Sequence, residues 1–189
     1  MKRRAEQEAE TRQRITESAV ELHGTLGPAR SSMSAVAEHA GVRRSTLYRH
    51  FPDDEALFGA CSAHWEERNP PPDVGAWTEV ADPDERLDLA LAELYAYYGR
   101  NEEMLDRLIR DAPLVPVVAR LMQAFPALLE VGADVLMQGR GLRGRSRARV
   151  RAAIGHALAF RTWQELTGAQ GLADAAAVEL MSRLVAAAR

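Results

Sequence analysis

The chain is poor in the features that announce covalent or metal chemistry. It holds one cysteine, Cys61, so no disulfide can form within it, and the residue reads as a small apolar group on a helix. Five histidines are scattered without the spacing of metal ligands, so no metal site and no cofactor are expected. There is no Gly-rich phosphate loop and no nucleophile–base pairing of recognisable spacing, which argues against an enzyme. No apolar run approaches the ~20 residues of a membrane span. The opening MKRRAEQEAETRQR is charged from end to end and lacks the apolar core of a signal peptide. A cytoplasmic protein with no membrane partner is expected. Positive charge is also not in excess: the net charge is −3.

What is present is helix-forming sequence. Hydrophobic residues make up 47 % of 189 positions, with Ala and Leu dominant and few β-branched runs, so an all-α fold with a real core is expected. Ile15, Ala19 and Leu22 recur at helical spacing, and Gly24 and Gly27-Pro28 end that first helix. Residues before about Glu10 read as frayed, with Lys2, Arg3 and Arg4 either a basic arm or a solvated tail.

The stretch SMSAVAEHAGVRRSTLYRHF, residues 32–51, carries the most information. Val36, Ala37 and Ala40 share one face of a short helix that Ser32 can cap. Gly41 sits where the chain must reverse. With Leu47 turned inward on the following helix, Ser45 and Arg49 point nearly opposite, Thr46 and Tyr48 flank them, and Arg44 leads. That is the layout of a helix-turn-helix, whose second helix reads the DNA major groove. Arginine suits guanine edges, and hydroxyls suit phosphate. Between Arg30 and Phe51 the only acid is Glu38, so the local face is basic despite the overall charge. A solvated polar helix between core helices is the bland alternative.

Within this region AVAEHAGVRRSTLYRHFPDDEALF resembles the DNA-binding signature of the TetR family of transcriptional regulators, and ITESAVELHGTLGPARSSM is similar to that family's first helix. The resemblance implies a homodimeric, usually repressing protein bound to double-stranded DNA. Its fold would be a three-helix DNA-binding domain followed by a larger helical domain for a small-molecule effector and dimerisation. Carried over by position, DNA contacts fall on Ser32, Arg44, Ser45, Thr46, Tyr48, Arg49 and His50. Two departures stand out. Arg43 occupies the position where the family has a Ser-like cap, which removes a cap and opposes the helix dipole; a DNA contact by Arg43 would compensate. Asp54 stands where the family often has a phosphate-binding lysine, so no backbone contact is expected there.

The expected domains are 1–53, the helix-turn-helix unit with its arm, and 54–189, with 54–68 a linking helix capped by Asp53. Asn69-Pro70-Pro71-Pro72 closes that helix, and Asp82-Pro83-Asp84-Glu85 opens the next. A further short helix carries Met104, Leu105 and Leu108. Another runs from Pro116 to about Gln138 with a kink at Pro126, and two last helices cover about 145–167 and 174–188. Small residues on the last two make them the candidate dimer interface, although they could equally close one subunit's own core. Tyr95, Tyr98, Met104, Met122, Phe125, Met137, His156, Phe160 and Trp163 are the candidate ligand-binding residues, each of which could also be ordinary core. A constitutive or architectural DNA binder without an effector is the alternative. The run Arg140, Arg143, Arg145, Arg147, Arg149 and Arg151 reads as a second anion-binding surface or a solvated face.

Overall fold

The computed structural model describes residues 2–189, with side chains from Arg3 onward. The Lys2 side chain, read above as part of a basic arm, lies outside the described residues. The described residues form helices and no strand. They are α1 (Lys2–Thr25), α2 (Met33–His39), α3 (Arg44–His50), α4 (Asp54–Arg68), α5 (Pro83–Asp111), α6 (Pro116–Leu121), α7 (Ala124–Met137), α8 (Gly144–Leu158), α9 (Phe160–Gln164) and α10 (Asp174–Ala187). Short 3₁₀ turns at Pro28–Arg30 and Ala76–Glu79 and a π turn at Glu165–Ala169 join some of them. None of these helices is by itself long and apolar enough to cross a membrane.

Two compact units emerge. The first holds the described residues up to Pro70 together with Asn101–Gln123; the second holds Pro71–Arg100 and Ala124–Arg189. Helix α5 therefore supplies residues to both.

In the first unit, Ile15 and Ala19 of α1, Val36 and Ala37 of α2, Leu47 of α3 and Leu57 of α4 form one buried cluster with Ala40, Phe51 and Cys61. Burial pushes the Cys61 thiol up to about 12, so it stays protonated and unreactive. A smaller cluster joins Phe58 to Val117 and Val118 of α6. Helix α1 does not fray before Glu10. Its early turns carry an Arg4–Glu8 pair at i,i+4 and a Thr11 hydroxyl that donates to the Gln7 carbonyl, both local helix contacts.

In the second unit, Leu87, Leu91 and Leu94 of α5 are buried, as are Leu136 of α7, Ile154 and Leu158 of α8 and Val185 of α10. Arg86, 5 % exposed, donates to the carbonyls of Val80, Ala81, Val135 and Gln138. It thereby ties the carbonyls at the end of α7 to those of the segment before α5.

Three expected helix boundaries are corrected. The Met104 segment is not a separate helix: Gly99 weakens helix propensity by only about 1 kcal/mol, and α5 runs through it to Asp111. The 116–138 segment does not kink at Pro126. It breaks at Met122–Gln123, and α7 starts at Ala124, which puts Pro126 in a first turn where its missing N–H is not needed. The 145–167 segment ends its first helix at Leu158, because Ala159 is extended (φ −71°, ψ 132°).

Candidate nucleic-acid interface

The turn between α2 and α3 is built from the backbone outward. Ser32 Oγ accepts the Ala35 N–H at 3.2 Å and caps α2. At the other end Gly41 N–H reaches the Glu38 carbonyl at 3.0 Å and Val42 N–H the Ala37 carbonyl at 2.9 Å. This paired closure needs a left-handed residue between helix and exit, and Gly41 supplies it at φ 64°. Helix α3 follows with Leu47 fully buried beneath it.

The outer side of α3 is free of the protein's own core. Arg44, Ser45, Tyr48 and Arg49 are exposed, as is Arg43 before them; Thr46 and His50 are half-buried. Tyr48 is 40 % exposed although it is large and aromatic. Arg43 is the N-cap residue and makes no capping hydrogen bond, so α3 lacks a side-chain cap. The C-terminal end of α3 is fixed by a residue that sequence reasoning missed. Arg12 of α1 donates to the His50 carbonyl at 2.6 Å and lies over the Phe51 ring, 4.1 Å from its centroid. No spacing rule points from residue 12 to residue 50; only the fold brings them together. Burial, then the positive charge of Arg49 and Arg12, lowers the His50 pKa, so the ring is neutral near pH 7. A neutral ring can meet phosphate only as a hydrogen-bond donor.

The candidate ligand residues divide between the units. Met104 and Met122 lie in the first unit, Met104 beside Gly24 and Met122 against the Phe58 cluster. Tyr95, Tyr98, Phe125, Met137, His156, Phe160 and Trp163 lie in the second. There Tyr98 is in ring contact with Tyr95, Phe125, Phe160 and Trp163. Tyr95 Oη donates to the Ala157 carbonyl at 2.9 Å, and Tyr98 Oη to the Leu158 carbonyl at 2.6 Å. Both carbonyls lie at the broken end of α8, where no following turn can take them. Trp163 Nε1 donates to Asp174 at 2.9 Å. Met137 is buried, whereas His156 is exposed, its Nδ1 3.3 Å from the Thr162 hydroxyl.

The arginine run is likewise divided. Arg140 is engaged with Asp84 and the carbonyls of Leu136 and Pro83. Arg151 pairs with Glu130 and Asp134, and Arg149 donates to the Arg189 carbonyl. Arg143, Arg145 and Arg147 are exposed.

A buried three-helix core, a glycine-closed turn and an exposed basic helix define a helix-turn-helix protein. Residues 15–61 match the family model described as bacterial regulatory proteins, tetR family, so this segment is similar to that family's DNA-binding domain. The HTH-type transcriptional regulator AcrR of Shigella flexneri is 42 % identical over 67 residues, 35 % of this chain. The chain spans only 30 % of that curated relative's length. A TetR-like transcriptional regulator from Rhodococcus sp. RHA1 shares the fold with a TM-score of 0.63 at 22 % identity, over 93 % of each chain. A tetR-family transcriptional regulator from Streptomyces coelicolor does so with a TM-score of 0.60 at 19 % identity, over 95 % of this chain and 79 % of that one.

Proposed function

We propose that this protein is a DNA-binding transcriptional regulator, a homodimeric repressor released from a palindromic operator by a small-molecule effector. The observation that carries the DNA-binding reading is the exposed face of α3: Arg44, Ser45, Tyr48 and Arg49 stand outward over the buried Leu47, in a domain matched by the family model. In this reading Arg44 and Arg49 meet base edges, while Ser32, Arg43, Ser45, Thr46, Tyr48 and His50 meet phosphates and base flanks.

Two copies are needed, because a two-turn helix reads few base pairs, and dimers present recognition helices about 34–36 Å apart. The dimer reading is supported by α10, where Leu180 is 44 % and Leu184 43 % exposed, and by the exposed small residues Ala152 and Gly155 of α8, a helix that packs on α10. The effector reading is supported by the aromatic cluster of the second unit. A constitutive binder is the second reading, and one observation favours it: the Tyr95 and Tyr98 hydroxyls are already satisfied by the chain's own carbonyls.

Selecting duplexes from a random library with the purified protein tests the DNA reading. A palindromic sequence with half-sites about one DNA turn apart is expected, and Arg49→Ala should lose it. Recovery of no enriched sequence overturns the reading. Sedimentation of the unmodified protein and of Leu184→Arg tests the dimer.

A further inference from the structure

The first turns of α1 and the end of α3 enclose a cleft of about 290 Å³, lined by Arg4, Gln7, Glu8, Thr11, Arg49 and His50. Arg4, Glu8 and Thr11 recur at i, i+4 and i+7, so they form one stripe along α1. Across from the stripe stand the last two residues of α3. The two helices are pinned together immediately beside the cleft by the Arg12 bond to the His50 carbonyl and by the stacking of Arg12 on Phe51. The cleft is therefore part of a fixed framework that extends the face of α3 and is not the edge of a loose arm.

We propose that this cleft holds a backbone phosphate of the bound duplex, with Arg4 as the group that grips it and Arg49, whose guanidinium reaches on to the base edges, adding positive charge at its rim. The inference rests on the DNA-binding reading above and adds α1 to the surface that meets DNA. The Arg4 guanidinium and the Gln7 amide offer donors suited to phosphate oxygens, while the Thr11 hydroxyl is already given to the Gln7 carbonyl. Glu8 is the opposing group. It holds Arg4 through an exposed contact of 3.3 Å, with the two side chains 87 % and 53 % exposed, Arg4 first. Exposed pairs of this kind are weak and easily exchanged for a better anion. Glu8 thus keeps Arg4 over the cleft in the free protein and yields it to phosphate. The His50 Nε2 is buried without a partner, so this nitrogen does not grip the anion held in the cleft.

The test uses the full chain and the duplex recovered by selection, with affinity read by fluorescence anisotropy at several salt concentrations. Arg4→Ala is expected to weaken binding severalfold and to reduce the slope of log affinity against log salt by about 0.9, the share of one phosphate. Glu8→Gln is expected to tighten binding. Both positions are exposed, and an unchanged far-UV spectrum confirms the fold. A methylphosphonate scan of the duplex should find one position whose neutralisation weakens the unmodified protein but leaves Arg4→Ala unaffected, a coupling that only a direct contact gives. If the unmodified protein binds the duplex while Arg4→Ala keeps its affinity and slope and no such position exists, the phosphate clamp is wrong and the regulator reading stands. Inorganic phosphate at constant ionic strength that lowers duplex affinity of the unmodified protein, and not of Arg4→Ala, supports the clamp as well. If no duplex is bound at low salt, both proposals fall together.

Discussion

An oxygen of the Asp111 carboxylate accepts the Ala29 amide N–H at 3.0 Å, so the last residue of α5 is tied to the turn that leads into α2. Arg110 flanks the same carboxylate at 2.7 Å and donates to the Leu26 carbonyl at 3.3 Å. Asp111 itself is 2 % exposed. The entry to the helix-turn-helix is held by side chains more than eighty positions away in sequence.

Removing that carboxylate leaves the half-buried Ala29 amide and the Arg110 guanidinium without their partner. Asp111→Ala is expected to destabilise the protein by about 1–3 kcal/mol, read as a lower urea midpoint. The Arg110 hydrogen bond, helped by the Ala29 amide, holds the Asp111 pKa below its ordinary value against the effect of burial. The ionised group therefore contributes stability above the ordinary carboxylate range and loses it as pH falls through the lowered value. The gap between Asp111→Ala and the unmodified protein should close in acid. Gly27→Ala should be worse at neutral pH: φ is 93°, and a Cβ there would overlap both Arg110 and Asp111.

His23 supplies a pH dependence of different origin. Its ring stacks on Phe58 at 4.5 Å between centroids, its Nε2 is buried without a partner, and burial lowers its pKa to about 4. The unfolded chain takes up a proton near pH 6.5 and the folded one does not. Stability should therefore fall as pH drops from 6.5 towards 4, by at most about 3 kcal/mol from this group. Urea midpoints at pH 7 and pH 5 measure it, and His23→Phe should flatten the difference. An equal drop in the variant would assign the effect elsewhere.

Tyr98→Phe removes the hydrogen bond that the phenol donates to the Leu158 carbonyl. A loss of about 1–3 kcal/mol is expected, with the helical fold retained. Burial raises the pKa of both Tyr95 and Tyr98, so neither phenol should ionise in an alkaline ultraviolet titration until the protein unfolds.

Arg43→Ser separates stability from binding. A serine at this N-cap should stabilise α3 by about 0.5–2 kcal/mol. If Arg43 contacts DNA, the same change weakens binding to the selected duplex. A higher melting temperature with unchanged affinity would show that Arg43 has no part in DNA contact.

The helix-turn-helix was legible because its signals are local. A cap at Ser32, a reversal at Gly41 and an inward Leu47 lie within sixteen positions, and each constrains its neighbours directly. The boundaries of α6, α7 and α8 were not legible. Alanine-rich sequence carries no stop signal, and the break at Ala159 is supported by Tyr95 and Tyr98, some sixty positions upstream. The same limit applied to Arg12, and to Met104 and Met122. Periodicity says that a side chain is turned inward but not which neighbour it meets.

Gly41 and Gly27 look alike in sequence, yet they respond to different demands. A Cβ at Gly41 would find nothing within 4 Å, so the reversal before α3 requires handedness and not emptiness. D-alanine, introduced there by chemical synthesis, has the mirror-image preference and would adopt that torsion without strain. It would also narrow the wandering of the unfolded chain, so the segment that aims α3 would gain stability from the unfolded side of the equilibrium.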